Sequence, residues 1–314
     1  MVKIVLRYVG FEVGIRKMSP NSIKACYLGA IANVFVLRDI ENMFELAIKK
    51  RIVKLVMDGY LRIYHKENPL SESRKLAFTL ELVKYLPMAM KNIDGIRMKA
   101  IELALKMGIC FLLRKSEYLP GNKLNGFSWK DIQWYDGNGM EVDWYKVNQS
   151  NVKTVKLVVK FSKMDQYGIG RIVTHTRTDK DFCIVHSLVE WLLICRDKLK
   201  ISQDGYMFRY ISGEAIIKDY IVTVAMKNIV TYLGWKSDKV SLHSLRYGGA
   251  TMLAAAGLPQ YIIEYYGGWA EDSKSLKQTY IKLAAKNAVE VSNIFSNGFN
   301  MSLEETRIRE ASLI

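Results

Sequence analysis

The sequence predicts a mostly α-helical fold with a small antiparallel β-sheet, an α+β arrangement in two domains. Apolar residues recur at helical spacing over most of the chain, as in Ile23, Tyr27, Ile31 and Val34. One stretch breaks that rhythm: Val155, Leu157, Val159 and Phe161 alternate with Lys156, Val158 and Lys160, the pattern of a half-buried strand. The apolar pattern also stops at His65-Lys-Glu-Asn-Pro69-Leu-Ser-Glu-Ser-Arg74, whose turn residues and helix cap mark a linker. At 314 residues, 50% hydrophobic and 25% charged, the chain is globular in composition and long enough for two cores.

Residues 1–66 are expected to be helical. Ser19-Pro20-Asn21-Ser22 is a good helix start, and a second helix is expected from Ile40 to Met57. Lys49, Lys50, Arg51 and Lys54 make this unit basic. The larger unit, residues 67–295, opens with helices expected over Lys75–Leu86 and Met98–Leu113, so Arg114 falls where a buried helix stops. A cation there complements the helix dipole on its own account. From Phe127 to Val147 the pattern is aromatic and short in period, broken by Asp136-Gly137-Asn138-Gly139, a hairpin signal. The strand over Val155–Phe161 is expected to pair with Arg171–Thr176. Helices follow over Ile184–Leu199, over Gly213–Leu233 and from about His243. His175 and His186 are read as structural. Residues 296–314 read as a polar turn and a short mixed-charge helix, suited to docking on a neighbouring subunit.

Lys and Arg number 46 against 31 Asp and Glu, a net charge of +15, which points to a polyanionic partner. Nucleic acid comes first and an anionic membrane surface second. The membrane reading lacks a lysine-rich amphipathic helix with a clean apolar face, and no apolar run approaches the length of a spanning helix. No cleavable signal is recognised at the N-terminus. Cys26, Cys110, Cys183 and Cys195 show neither a C-x-x-C pair nor a histidine at zinc spacing. They are expected to be reduced thiols in an intracellular protein, of cytoplasm or nucleus.

The most informative stretch is Ser241-Leu-His243-Ser-Leu-Arg246-Tyr-Gly-Gly-Ala-Thr251, followed by Gly267-Gly-Trp269 and Tyr280. His243 and Arg246 stand three apart, so on a helix they share a face and can touch one ligand together. Gly248-Gly249 costs about 1 kcal/mol per residue inside a helix relative to alanine, which makes sense where another backbone or a ligand lies close.

These residues resemble the C-terminal signature of the tyrosine recombinases, the phage-integrase family. Arg114-Lys-Ser-Glu117 resembles the family's first arginine motif, with Glu117 placed to orient Arg114, and Ser162-Lys163-Met-Asp165-Gln166 resembles its β-hairpin lysine motif. The motifs run in the family's order over roughly Pro69 to Phe295, and the N-terminal helices match more weakly. The resemblance implies a helical core-binding domain over residues 1–66, short for a complete one, and a recombinase catalytic domain over residues 67–295. It departs from the family at one point: Tyr280 follows Trp269 by eleven residues, a slightly longer spacing than usual, which a turn over Glu271–Lys277 would absorb.

The chemistry implied is transfer of a DNA strand through a 3′-phosphotyrosine. A phosphodiester concentrates negative charge on its non-bridging oxygens in the transition state, and Arg114 and Arg246 would clamp them with planar, permanently charged donors. Tyr280 would be the nucleophile. A phenol of pKa about 10 is only about a thousandth ionised at pH 7, so it needs help worth about 4 kcal/mol. His243 would act as its base or hydrogen-bond the phosphate, Lys163 would protonate the leaving 5′-oxygen, and Trp269 would donate its indole N–H. Because the covalent intermediate keeps the bond energy, no cofactor, metal or ATP is expected. The implied partners are double-stranded DNA and further copies of the chain, a tetramer on two DNA sites, with no membrane and no small-molecule substrate. The alternatives are a type IB topoisomerase-like enzyme and a DNA-binding protein that keeps the recombinase fold without cutting.

Overall fold

The structure, a computed structural model, describes residues 2–16, 18–28, 30–31, 51–67, 75–120, 126–160, 170–178, 180, 182–271, 273 and 276. The chain falls into two compact units, the first ending at Arg74 and the second starting at Lys75.

In the first unit, helix α1 (Val2–Gly14) and helix α2 (Arg51–Glu67) flank a short turn of helix at Pro20–Ser22 that continues as a π-helical segment, Ile23–Leu28. Pro20 sits in the first turn, where its missing N–H has no helical partner to lose. Val5 and Val9 of α1, Ile23, Leu28, and Val53 and Met57 of α2 form one small core. Helix α2 continues through His65, Lys66 and Glu67, part of the stretch read from the sequence as linker.

The second unit is helical around a three-stranded antiparallel sheet, as its patterning implied. Residues 75–79, expected as helix, run extended instead. Their backbone bonds to the loop and helix that follow much later, with Leu76 N–H to Lys239 O at 2.7 Å and Phe78 N–H to Ser244 O at 3.0 Å. Only the short turns Leu80–Val83 and Leu86–Ala89 are helical here. Helix α3 (Gly95–Cys110) starts at Asp94, whose carboxylate accepts the Arg97 N–H at 2.9 Å, and is buried along most of its last three turns. Its buried Lys106 is held by Glu102 at 2.7 Å and Ser187 at 2.9 Å. The helix stops three residues before the expected Leu113, because Leu112 adopts the left-handed conformation (φ 52°). For a leucine this costs about 1–2 kcal/mol.

Helix α4 (Lys115–Tyr118) follows, then β1 (Ile132–Tyr135), β2 (Thr154–Val159) and β3 (Arg171–Thr176), in sheet order β1-β2-β3. The β2–β3 register places Val155 opposite His175 and Leu157 opposite Val173. The Asp136–Gly139 turn reverses the chain, but the returning arm makes only a bridge, Tyr135 to Glu141, before Trp144–Lys146 coils into a 3-10 turn. Helix α5 (Ile184–Leu193) passes into a π-helical turn, and helix α6 (Asp219–Tyr232) begins six residues later than expected. Helix α7 (His243–Ala255) and helix α8 (Gln260–Gly267) complete the described fold.

Among the described residues no helix is long and apolar enough to cross a membrane. Cys110, Cys183 and Cys195 are free thiols. His175 is structural, as expected: its Nε2 donates to Cys110 O at 3.0 Å and its ring meets Phe111 edge to face, and its burial holds its pKa below the usual imidazole value. The tail, 296–314, lies outside the described residues.

Candidate active site

Helix α7 is set by its two glycines. A Cβ on Gly248 would lie 2.0 Å from Phe78 O, and one on Gly249 would lie 2.1 Å from Ile109 O. It is another backbone that these positions admit, so α7 packs flush on α3 and on the extended segment 75–79. At the start of α7, Ser244 Oγ accepts the Ser241 N–H at 3.1 Å, while the Ser244 N–H donates to Ser241 O at 2.7 Å.

That close packing brings Arg246 under the end of α3. Arg246 is 1% exposed, and its Nη1 donates to the carbonyl of Leu112. The left-handed turn at Leu112 thus sits where the guanidinium is received. On its other side Arg246 Cζ lies 3.7 Å from the centroid of the Trp269 ring. Trp269 is brought there by the end of α8, where Gly268 takes the left-handed conformation (φ 60°) and the Trp269 N–H caps Glu264 O at 2.9 Å. The indole folds back across Gly267, whose Cβ would collide with it.

Arg114 leads into α4. Its main-chain N–H donates to Glu117 Oε2 at 2.9 Å and its Nη1 to Glu117 Oε1 at 2.9 Å, with Nη2 reaching Gly268 O at 3.4 Å. Glu117 is 3% exposed at its side chain and Arg114 22%, so the carboxylate is the buried anchor and the guanidinium the reaching end. Glu117 thus holds Arg114 by both its main chain and its guanidinium.

His243 keeps an exposed edge one turn from Arg246 on α7. Desolvation, then the cations of Arg246 and Arg114, hold its pKa below the usual imidazole value. Both effects favour the neutral ring, the form that can accept a proton. With Arg114, Lys115, Ser241, Lys227 and Tyr220 it lines a depression of about 700 Å³.

The structure thus gathers Arg114, Glu117, His243, Arg246 and Trp269 around the ends of α3, α7 and α8. Lys163 and Tyr280 lie outside the described residues. The chain after Trp269 is tied back to α8, with the Ser273 N–H on Glu264 Oε1 at 3.0 Å and Leu276 buried beside Leu112, Tyr247 and Ile263. Tyr265 and Tyr266 precede Trp269, and both are occupied: their hydroxyls donate to Ile172 O (3.1 Å) and Thr174 O (2.9 Å), fastening α8 along the outer edge of β3. Burial, then the neighbouring Tyr265, pushes the Tyr266 phenol pKa up.

Sequence reasoning missed Arg171. It opens β3 and donates to Glu117 at 3.4 Å and to Tyr266 O at 3.2 Å. No local motif marks it, because its partners lie 54 and 95 residues away.

No family model and no curated protein matches the chain. Several solved structures are similar to it, among them proteins described as recombinases or integrases. XerH site-specific recombinase bound to palindromic difH substrate is 17% identical over 73% of this chain and 55% of that one, with a TM-score of 0.47. The chain therefore spans about half the length of XerH. XerA recombinase is 16% identical over 93% of this chain and 83% of that one, TM-score 0.43. The Tn1549 transposon integrase in complex with circular intermediate DNA is 10% identical over 98% of this chain and 84% of that one, TM-score 0.46.

Proposed function

We propose that this chain is a tyrosine recombinase, a site-specific DNA strand transferase that works through a 3′-phosphotyrosine without metal or ATP. The observation that carries the reading is the convergence of two guanidiniums and an imidazole. Arg114 is braced by a buried carboxylate, Arg246 is braced by a carbonyl and an indole face, and His243 stands beside them with its pKa lowered by desolvation and then by both cations. Fixed guanidiniums of this kind match the charge that develops on the oxygens of a phosphodiester, and losing one such donor typically lowers the rate about 10²–10³-fold.

In this reading Arg114 and Arg246 hold the non-bridging oxygens, His243 takes the phenolic proton of Tyr280, and Lys163 protonates the leaving 5′-oxygen. Trp269 holds Arg246 through its ring face, a role added to the indole donation implied by the sequence. Residues 1–66 grip the duplex backbone through phosphates, residues 67–295 carry the chemistry, and the tail, 296–314, docks on a neighbouring subunit in a tetramer on two DNA sites. The net charge of +15 supports an extended nucleic-acid contact.

The test is strand cleavage of duplex DNA in excess chelator and without nucleotide. Cleavage should persist there and fall at least about 10²-fold in Arg114→Ala and in Arg246→Ala. A second reading, DNA binding without cutting, is favoured by the eleven-residue spacing from Trp269 to Tyr280. Salt-dependent duplex binding with no cleavage under any condition would select it.

A further inference from the structure

Arg171 is nearly enclosed, with 9% of its side chain exposed, and the polar groups it meets among the described residues, Glu117 and Tyr266 O, belong to the parts that position the two clamping arginines. Its Nη2 lies 3.4 Å from Glu117 Oε2, on the carboxylate that also receives the Arg114 main-chain N–H and Nη1. Its Nε donates to Tyr266 O at 3.2 Å, in the last turn of α8. Its guanidinium fills the space that Gly268 leaves by lacking a side chain, since a Cβ there would lie 2.8 Å from Nη1.

A buried cation beside another cation is a poor choice for stability alone. Desolvation lowers the pKa of Arg171 and nearby Arg114 lowers it further, with Glu117 opposing both. Apolar replacements of buried ion pairs are often neutral or stabilising. What Arg171 supplies is geometry: a rigid fork that ties the Glu117 carboxylate to the Tyr266–Trp269 turn in fixed register.

We infer that Arg171 is a positioning residue that fixes both arms of the anion clamp at once. It holds Arg114 through the shared carboxylate of Glu117, and Arg246 through the Gly268–Trp269 turn on which the indole rides. It does so from the first residue of β3. A lysine keeps the charge but has one nitrogen, and cannot span Glu117 and Tyr266 O in one plane. This inference rests on the phosphate-clamp reading above.

The experiment uses inorganic phosphate as probe and the full chain labelled with ¹⁵N-tryptophan, the Trp269 indole resonance being assigned with Trp269→Phe. In Arg171→Lys, phosphate affinity should fall about tenfold, the usual effect of removing an outer partner that orients a ligand-binding side chain. The Trp269 indole resonance should move in the free protein, with the circular dichroism spectrum unchanged. Arg171→Met, which keeps much of the volume but not the fork, should give the same loss and carries the test if Arg171→Lys does not fold. Arg114→Ala and Arg246→Ala separate the two levels. If neither weakens phosphate binding, the clamp reading itself fails. If both abolish it while Arg171→Lys or Arg171→Met binds phosphate within twofold of the parent with the indole resonance unmoved, the role given to Arg171 is overturned.

Discussion

Arg246 lies between two supports, the Leu112 carbonyl and the face of Trp269, with its Cζ 3.7 Å from the indole centroid. A cation over an indole is worth about 0.5–2 kcal/mol, more as the pair is desolvated. Trp269→Ala should therefore lower strand cleavage by about tenfold, and Trp269→Phe by less. Single-turnover rates on a nicked duplex check this, and equal losses in the two variants would show that the ring face is not what matters.

The glycines of α7 make a second prediction, on stability. Gly248→Ala and Gly249→Ala each press a methyl against a main-chain carbonyl at about 2 Å, and overpacking of this kind costs about 1–3 kcal/mol. Gly59→Ala on α2 meets nothing within 4 Å, and should gain about 1 kcal/mol in its own unit from helix propensity. Thermal unfolding followed by circular dichroism should move in opposite directions for the two sets.

His243 makes the pH prediction. Its native pKa lies below the unfolded value of about 6.5, so the unfolded chain binds the proton first as pH falls. The sign follows: stability is fully present above about pH 6.5 and declines as pH drops through the lower native value. His175, also depressed by burial, acts in the same direction. Proton NMR titration of the His243 imidazole should give a midpoint below that of a free histidine. Arg246→Ala should raise the midpoint by removing a neighbouring cation.

Much of this site was legible in the sequence because its pieces are local. Arg114 and Glu117 lie within one turn, as do His243 and Arg246, so spacing alone says which side chains share a partner. The β2–β3 pairing was legible for the same reason, from alternation in Val155–Phe161. Three features were not. Residues 75–79 carry a mixed pattern that suits a half-buried extended segment as well as a helix, and only the carbonyls of Lys239 and Ser244 decide between them. Leu112 gives no hint of its left-handed backbone, which is imposed by tertiary packing against the local preference of leucine. Arg171 acquires its partners only when β3 and α8 lie side by side, and no spacing along the chain encodes that contact.

In the function proposed above, a DNA strand becomes joined to Tyr280. The most direct measurement is to incubate the protein with a pool of nicked random-sequence duplexes, denature it, digest it and map the attached nucleotide by peptide mass spectrometry, with Tyr280→Phe in parallel. A 3′-phosphoryl adduct on Tyr280, absent from the Phe variant, is expected. An adduct on Tyr265, Tyr266 or another residue, or sequence-specific binding with no adduct on any residue, would contradict it.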